Sequence, residues 1–175
     1  LLGLLRDRML AGIFGAGREL DIYYAAFRVP DFLYTIMLLF AASTAIIPVF
    51  LEDLSKNRQR AEHLFGSLLS VFCVIIFFLA GAAFLLMPKI LAYLLPGFSP
   101  GELADTIVLS RIMLFSPLFL GISNIISSVT QSFRRFFVYA LSPVLYNIGI
   151  IIGIVFFLPN AGFSGLAWGV ALGAG

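Results

Sequence analysis

Apolar residues in this chain run on rather than alternate with polar ones. Phe32–Leu51, Leu64–Pro88, Ile112–Phe133 and Phe136–Gly175 carry no charge, and each has about 20 residues or more, the length a helix needs to cross ~30 Å of hydrocarbon. Transmembrane strands would alternate over roughly ten residues. These runs do not, so the fold class is all-α, a polytopic transmembrane helical bundle. Six helices are predicted. The first reaches about Phe14 and breaks at Gly15-Ala16-Gly17, where paired glycines favour a turn. The second covers about Leu20–Leu54, too long for one straight crossing, so it must tilt, kink or protrude. The polar segment Glu52–His63 leads into a third at about Ala61–Met87. Prolines and glycines mark MPKILAYLLPGFSPGE as an irregular, interfacial connection. The fourth helix, about Leu103–Ser132, holds Pro117, and QSFRRF turns into the fifth, about Val138–Leu158, which holds Pro143. PNAGFSG turns again, and a sixth begins near Leu166.

Composition agrees with this pattern. Of 175 residues, 61% are hydrophobic and 11% charged, and the mean hydropathy is +1.07; soluble domains are nearer half apolar and a quarter charged. Basic residues are biased between loops. Lys56, Arg58, Arg60, Arg134 and Arg135 fall in the second-to-third and fourth-to-fifth loops, against Arg18 and Lys89 on the other side. The positive-inside rule therefore places the first residue and those two loops in the cytoplasm. Cys73 is the only cysteine and His63 the only histidine, so no disulfide or metal-ligand cluster is expected. Phosphate-loop, HExxH and GxSxG motifs are missing too, and no cofactor is expected. The chain starts without methionine inside apolar sequence and stops at GVALGAG; it reads as an excerpt, residues 1–175 being one part of a single transmembrane domain.

The charges inside the helices are the informative feature. An ionisable side chain at mid-span costs roughly 2.5–3.5 kcal/mol on insertion scales, so Arg6, Asp7, Arg28 and Asp31 would together oppose insertion by about 10 kcal/mol if they faced lipid. They must pair, face a water-filled cavity or lie near the surface. At about 100° per residue, Asp21, Tyr24, Arg28, Asp31 and Thr35 share one narrow face of the second helix, as a wetted interior stripe would. Arg28 and Asp31, three apart, also fit a structural ion pair. On the first helix, Asp7 shares a face with Gly3, Ala11 and Gly15, small residues that admit a close neighbour. Arg6 points about 100° away from Asp7, so the two need not neutralise each other. The fourth helix carries Ser116, Ser123, Ser127 and Gln131 on one side with Asn124 at its margin; the fifth offers Pro143, Tyr146 and Asn147. Such a stripe also suits plain helix packing. Arg111, two turns inside its helix, is expected to snorkel outward.

The block RDRMLAGIFGAGRELDIYYAAFRVPDFL (Arg6–Leu33) resembles the amino-terminal signature of the MviN/MurJ family of lipid II flippases, within the multidrug/oligosaccharidyl-lipid/polysaccharide exporter superfamily. The residues that carry the resemblance are Arg6, Asp7, Phe14–Gly17, Asp21, Tyr23, Tyr24, Ala26, Phe27, Arg28, Pro30 and Asp31. Ala42-Ser43, Pro48-Val49, LLPGF, Pro117 and the SPVLYNIG block with Asn147 extend it. The chain departs from the family pattern at Tyr34 and Thr35, where two arginines are common, and at Leu39 and Phe40, where Glu-Gly is common. The resemblance implies that about six helices here belong to the first lobe of a two-lobed, fourteen-helix transporter of a bacterial plasma (inner) membrane. It implies a non-enzymatic flippase that moves undecaprenyl-diphosphate-linked disaccharide-pentapeptide to the outer leaflet by alternating access, in peptidoglycan biosynthesis. Arg6, Asp7, Asp21, Arg28, Asp31 and Asn147 are the expected substrate-binding residues. The expected partners are the lipid-linked glycan precursor and membrane lipids, not nucleic acid, with a coupling ion or membrane potential left open. A flippase for another polyprenyl-diphosphate glycan, or a multidrug antiporter, is the alternative. An antiporter for cations would favour an acidic or neutral cavity, and here arginines accompany the acids.

Overall fold

The computed structural model describes residues 1–15, 17–43, 58–132 and 136–175. Lys56, Pro48-Val49, Arg134 and Arg135 lie outside the described residues, as do the side chains of Gln131 and Phe40. The described elements are helices: α1 (Leu2–Phe14), α2 (Arg18–Ala26), α3 (Arg28–Ser43), α4 (Arg58–Leu94), α5 (Pro100–Met113), α6 (Phe115–Ser132), α7 (Phe136–Ile152), a π-helical turn (Gly153–Phe157) and α8 (Leu158–Ala174).

Taken along the chain, the described helices fall into the six predicted segments, some of them bent. α1 ends where expected, with Gly15 at φ 61, a conformation open to glycine and strained for most other residues. α2 and α3 are two halves of the second helix, parted at Phe27. The cause is Pro30, which has no N–H to offer the carbonyl of Ala26 one turn back. Ser110 Oγ donates to that carbonyl instead, at 2.8 Å in a buried setting. α5 and α6 are likewise halves of the fourth helix, parted at Leu114, three residues before Pro117.

The third helix corrects the sequence reading. MPKILAYLL continues as helix through Pro88 to Leu94 rather than forming an irregular connection. Pro88 deprives Phe84 O of its donor, and Arg111 Nε on α5 takes that place at 3.2 Å. In hydrocarbon an unsatisfied carbonyl costs several kcal/mol, so a substitute donor decides whether helix can persist through a proline. The connection that remains is short. Ser99 caps α5 in a capping box with Glu102, and Pro100 opens the first turn, an arrangement that satisfies two orphan amides reciprocally.

Leu141–Ala174 is long and apolar enough for one crossing, yet it folds back on itself. Gly162 takes φ 58, ψ −145 inside α8, and the arms on either side are antiparallel. A Cβ on Gly153 would lie 2.8 Å from Gly169 Cα, and one on Gly149 would run into the Gly173 backbone. Small residues at spacing four let two helix backbones meet in this way, so that van der Waals contact replaces the hydrophobic effect that lipid cannot supply. The fifth and sixth helices are therefore a glycine-seamed hairpin.

The loops expected on one side of the membrane meet at one end of the bundle. Arg18 reaches across to Gly97 O at 2.7 Å and Glu102 Oε1 at 2.7 Å, and the Phe14 and Phe163 rings stack with centroids 5.3 Å apart. The first-to-second, third-to-fourth and fifth-to-sixth turns are thus neighbours, as up-and-down topology requires. α5 stands between two apolar clusters. Leu109 and Met113 pack with Leu10, Ile22, Ile150 and Leu166, while Leu103 and Ile107 face Val29, Met87, Leu91 and Ile125. On the outer side of α4, Phe77, Phe78 and Leu85 are about 70% or more exposed, the inside-out distribution of a lipid-facing helix.

If Ser110 replaces the donor that Pro30 lacks, Ser110→Ala should destabilise the intact protein by ~1–3 kcal/mol, the cost of a buried orphan carbonyl. Pro30→Ala, which restores a backbone amide, should recover most of that loss. Thermal unfolding of the single and double variants in detergent measures the coupling; purely additive effects would contradict it.

Candidate functional site

The polar stripe on the second helix survives the break at Phe27. Asp21, Tyr24, Arg28, Asp31 and Thr35 are all exposed on this chain, while Ile22, Tyr23, Ala25, Ala26, Val29, Leu33 and Met37 are buried. The stripe nevertheless divides between two tasks. Arg28 Nη1 donates to Leu94 O at 3.3 Å, a carbonyl in the last turn of α4 that has no intrahelical partner. Asp21 lies 4.0 Å from Arg18. Both therefore sit with the connection that holds Gly97 and Glu102. Among the described residues, Arg28 and Asp31 form no ion pair.

Tyr24 and Asp31 instead face α1 and α7. A cavity of about 330 Å³ opens there, lined by Arg6, Tyr23, Tyr24, Phe27, Asp31 and Tyr146. Behind it lies a smaller pocket of about 120 Å³, which shares Phe27, Asp31 and Tyr146 and adds Pro30, Tyr34, Ser116 and Pro117. Tyr23, edge-on to Phe27 with centroids 5.1 Å apart, is almost fully buried and braces the wall. The structure thus brings Arg6 and Asp31 together, with Asp7 beside them, and leaves Asp21 and Arg28 outside the cavity lining. Asn147 lies at the α1–α7 contact. Its Nδ2 donates to Pro143 O at 2.8 Å, and a Cβ on Gly3 would sit 3.6 Å from its Oδ1.

Arg6 and Asp7 pair, although helix angle does not require it. Nε and Nη2 of Arg6 lie 2.8 and 2.7 Å from Asp7 Oδ1. Neighbouring helix positions diverge at Cβ, but four rotatable bonds let the guanidinium swing back to the short aspartate. The weak dielectric of a bundle interior makes that pairing worthwhile. Both bonds go to one carboxylate oxygen, which leaves Nη1 of Arg6 and Oδ2 of Asp7 for other partners. Asp31 has no ion pair among the described residues; its backbone N–H donates to Phe27 O at 2.8 Å and its carbonyl accepts from Thr35 Oγ1 at 2.8 Å.

The uncharged stripe on the fourth helix also divides. Asn124 Nδ2 donates to Tyr34 OH at 2.9 Å, and Ser123 and Ser142 hydroxyls lie 3.5 Å apart; these join α6 to α3 and α7. Ser116 differs, since its Oγ is buried, lines the inner pocket and has no hydrogen-bond partner among the described residues. Sequence reasoning placed Ser116 on a packing stripe and missed it as a pocket group. Tyr23 was likewise noted only as part of an aromatic pair. No periodicity separates a hydroxyl that bridges helices from one that faces a void.

These features define a class: one part of a polytopic helical membrane protein, with a partly charged cavity between its first, second and fifth helices. The family model described as lipid II flippase MurJ matches residues 10–174, and the chain belongs to that family. It is 32% identical to the probable lipid II flippase MurJ of Buchnera aphidicola subsp. Acyrthosiphon pisum, over 99% of this chain and 35% of that protein. It is 31% identical to the lipid II flippase MurJ of Thermosipho africanus, over 87% of this chain and 32% of that one. A solved structure titled lipid II flippase MurJ, inward closed conformation, superimposes with a TM-score of 0.79 at 30% identity, covering 99% of this chain and 37% of the other. The chain spans about a third of the length of these relatives.

Ser116 offers a direct check on the inner pocket. Ser116→Ala removes a hydroxyl that no protein group uses, so thermal stability of the unliganded protein should hold or rise. A loss as large as that of Ser110→Ala would show that Ser116 Oγ has a structural partner.

Proposed function

We propose that this chain is the amino-terminal lobe of a lipid II flippase of a bacterial plasma membrane, and that its cavity receives the polar head of a polyprenyl-diphosphate-linked glycan. The observation that carries the reading is Arg6 at the cavity wall, held by Asp7 through one carboxylate oxygen and with donors to spare. A diphosphate presents several anionic oxygens, and a guanidinium meets them with parallel hydrogen bonds while keeping its proton. Asp7 sets the direction of the guanidinium and balances its charge when the cavity is empty. Asp31, Tyr24 and Tyr146 surround the remaining space with acceptors and hydroxyls suited to sugar. Transport requires no bond to be made or broken; a second lobe rocking against this one would expose the cavity to each side in turn.

Arg28 and Asp21 take a different role in this scheme from the one the resemblance implies. Arg28 fastens the second helix to the end of α4, and Asp21 lies beside Arg18, which reaches Gly97 and Glu102. Tyr34 and Thr35, which stand where the family often has arginines, supply neutral hydrogen bonds here. Arg6 therefore carries more of the anion recognition.

In the full-length protein, Arg6→Ala should abolish rescue of cells depleted of their own lipid II flippase. Arg6→Lys should rescue partly, because a point charge lacks the guanidinium fork. Asp7→Asn should fall between wild type and Arg6→Ala. Normal growth with Arg6→Ala at wild-type membrane abundance would rule the assignment out.

A further inference from the structure

A second arginine lies inside the bundle, away from the cavity. Arg111 is on α5, at the edge of the uncharged run Ile112–Phe133, and Phe84 lies one turn inside the end of the run Leu64–Pro88, so the guanidinium is within reach of the headgroup level. It does not snorkel free. Its Nε donates to Phe84 O and its guanidinium lies over the Phe84 ring at 4.6 Å. The proline at position 88 accounts for the first contact and the aromatic face for the second. Neither neutralises the charge, and Arg111 forms no ion pair with a carboxylate among the described residues. A cation in a span that lacks a counter-ion among the described residues can take one from elsewhere.

Beside Arg111 runs a groove between α4 and the α5–α6 bend. Its volume is about 210 Å³, and Phe77, Ala80, Gly81, Phe84, Leu114, Phe115 and Leu118 line it with almost entirely apolar surface. Its floor is small by composition: Ala80 and Gly81 replace bulk where flanking Phe77 and Phe84 form walls. A Cβ placed on Gly81 would meet nothing within 4 Å, so the groove is open at that point. The adjoining surface of α4, with Phe78 70% and Leu85 76% exposed, is fit for lipid tails.

We infer that this groove holds one acyl chain of an anionic phospholipid whose phosphate takes the Nη edge of Arg111. The two halves of the site match the two halves of such a lipid. The hydrocarbon trough takes the tail, and at its end a guanidinium with one edge committed to Phe84 O presents the other edge to phosphate oxygens, in the paired geometry that favours arginine. One side chain thus repairs the proline-interrupted helix and recruits the counter-ion that its own charge requires. This site is independent of the cargo cavity and of the function proposed for it.

The test uses the full-length protein in nanodiscs made from equal parts phosphatidylglycerol and phosphatidylcholine, followed by native mass spectrometry of the lipid retained on release. Wild type should retain phosphatidylglycerol in preference. Arg111→Gln, whose amide still donates to Phe84 O, should lower that retention about tenfold with little change in thermal midpoint. Gly81→Leu, which fills the trough, should lower retention of both lipids. If Arg111→Gln folds poorly, the Pro88→Ala/Arg111→Gln pair returns a backbone donor to Phe84 O and should show the same lipid loss. Retention of phosphatidylglycerol at the wild-type level in either glutamine variant would overturn the inference. So would an absence of preference in wild type, as expected if other helices of the intact chain cover the groove, or loss of lipid-linked glycan rather than phospholipid.

Discussion

A backbone carbonyl in hydrocarbon has no water to fall back on, and this bundle is organised around that constraint. Pro30 and Pro88 each strip a donor from a carbonyl one turn earlier, on two different helices. The substitutes are adjacent residues of α5: Ser110 for Ala26 O and Arg111 for Phe84 O. α5 therefore does more than fill the centre of the lobe. It fixes the bend between α2 and α3, which aims Asp31 into the cavity, and it keeps α4 helical as far as Leu94, whose carbonyl then receives Arg28. Two prolines that would each disrupt an isolated helix become joints where one helix holds two others in place.

The same accounting distinguishes structural polar groups from those with work still to do. Arg28, Asn124 and Ser110 have protein partners that explain their presence in apolar spans. Asn147 is half accounted for: its Nδ2 donates to Pro143 O, while its buried Oδ1 has no partner among the described residues. Part of the Arg6 guanidinium, the Asp31 carboxylate and Ser116 Oγ have no partner among the described residues, and these three border one continuous region between α1, α3, α6 and α7. Their convergence supports a cavity for polar cargo more strongly than the charge pattern of any single helix. The hairpin of α7 and α8 frames that region from behind. Its glycine seam draws the two backbones together and leaves Tyr146 facing Arg6 and Asp31 across the opening.

Much of this was legible in the residues. Uncharged runs, together with the turn residues that divide them, marked the six helical segments; the two glycines after Phe14 marked the first turn, and 3.6-residue periodicity put Asp21, Tyr24, Arg28, Asp31 and Thr35 on one face. What could not be read was where long side chains end. Arg6 swings back to Asp7 although their Cβ directions diverge, and Arg28 reaches α4 rather than Asp31. In sequence Pro88 reads as an end of helix because proline removes a local donor; the replacement comes from Arg111 on another helix, beyond any local pattern. Ser116 and Ser123 recur at helical spacing and look alike in sequence, yet one faces a partner and the other a void. Tertiary contact, not spacing, assigns them.

The central claim is that polar groups without protein partners mark the place where cargo binds. The most direct measurement is a density map of the intact protein with an undecaprenyl-diphosphate-linked glycan bound. The account predicts phosphate oxygens within hydrogen-bond distance of Arg6, with sugar density beside Asp31 and Tyr146. Cargo density elsewhere, with Arg6 still closed on Asp7 and the space beside Tyr146 empty, would contradict it.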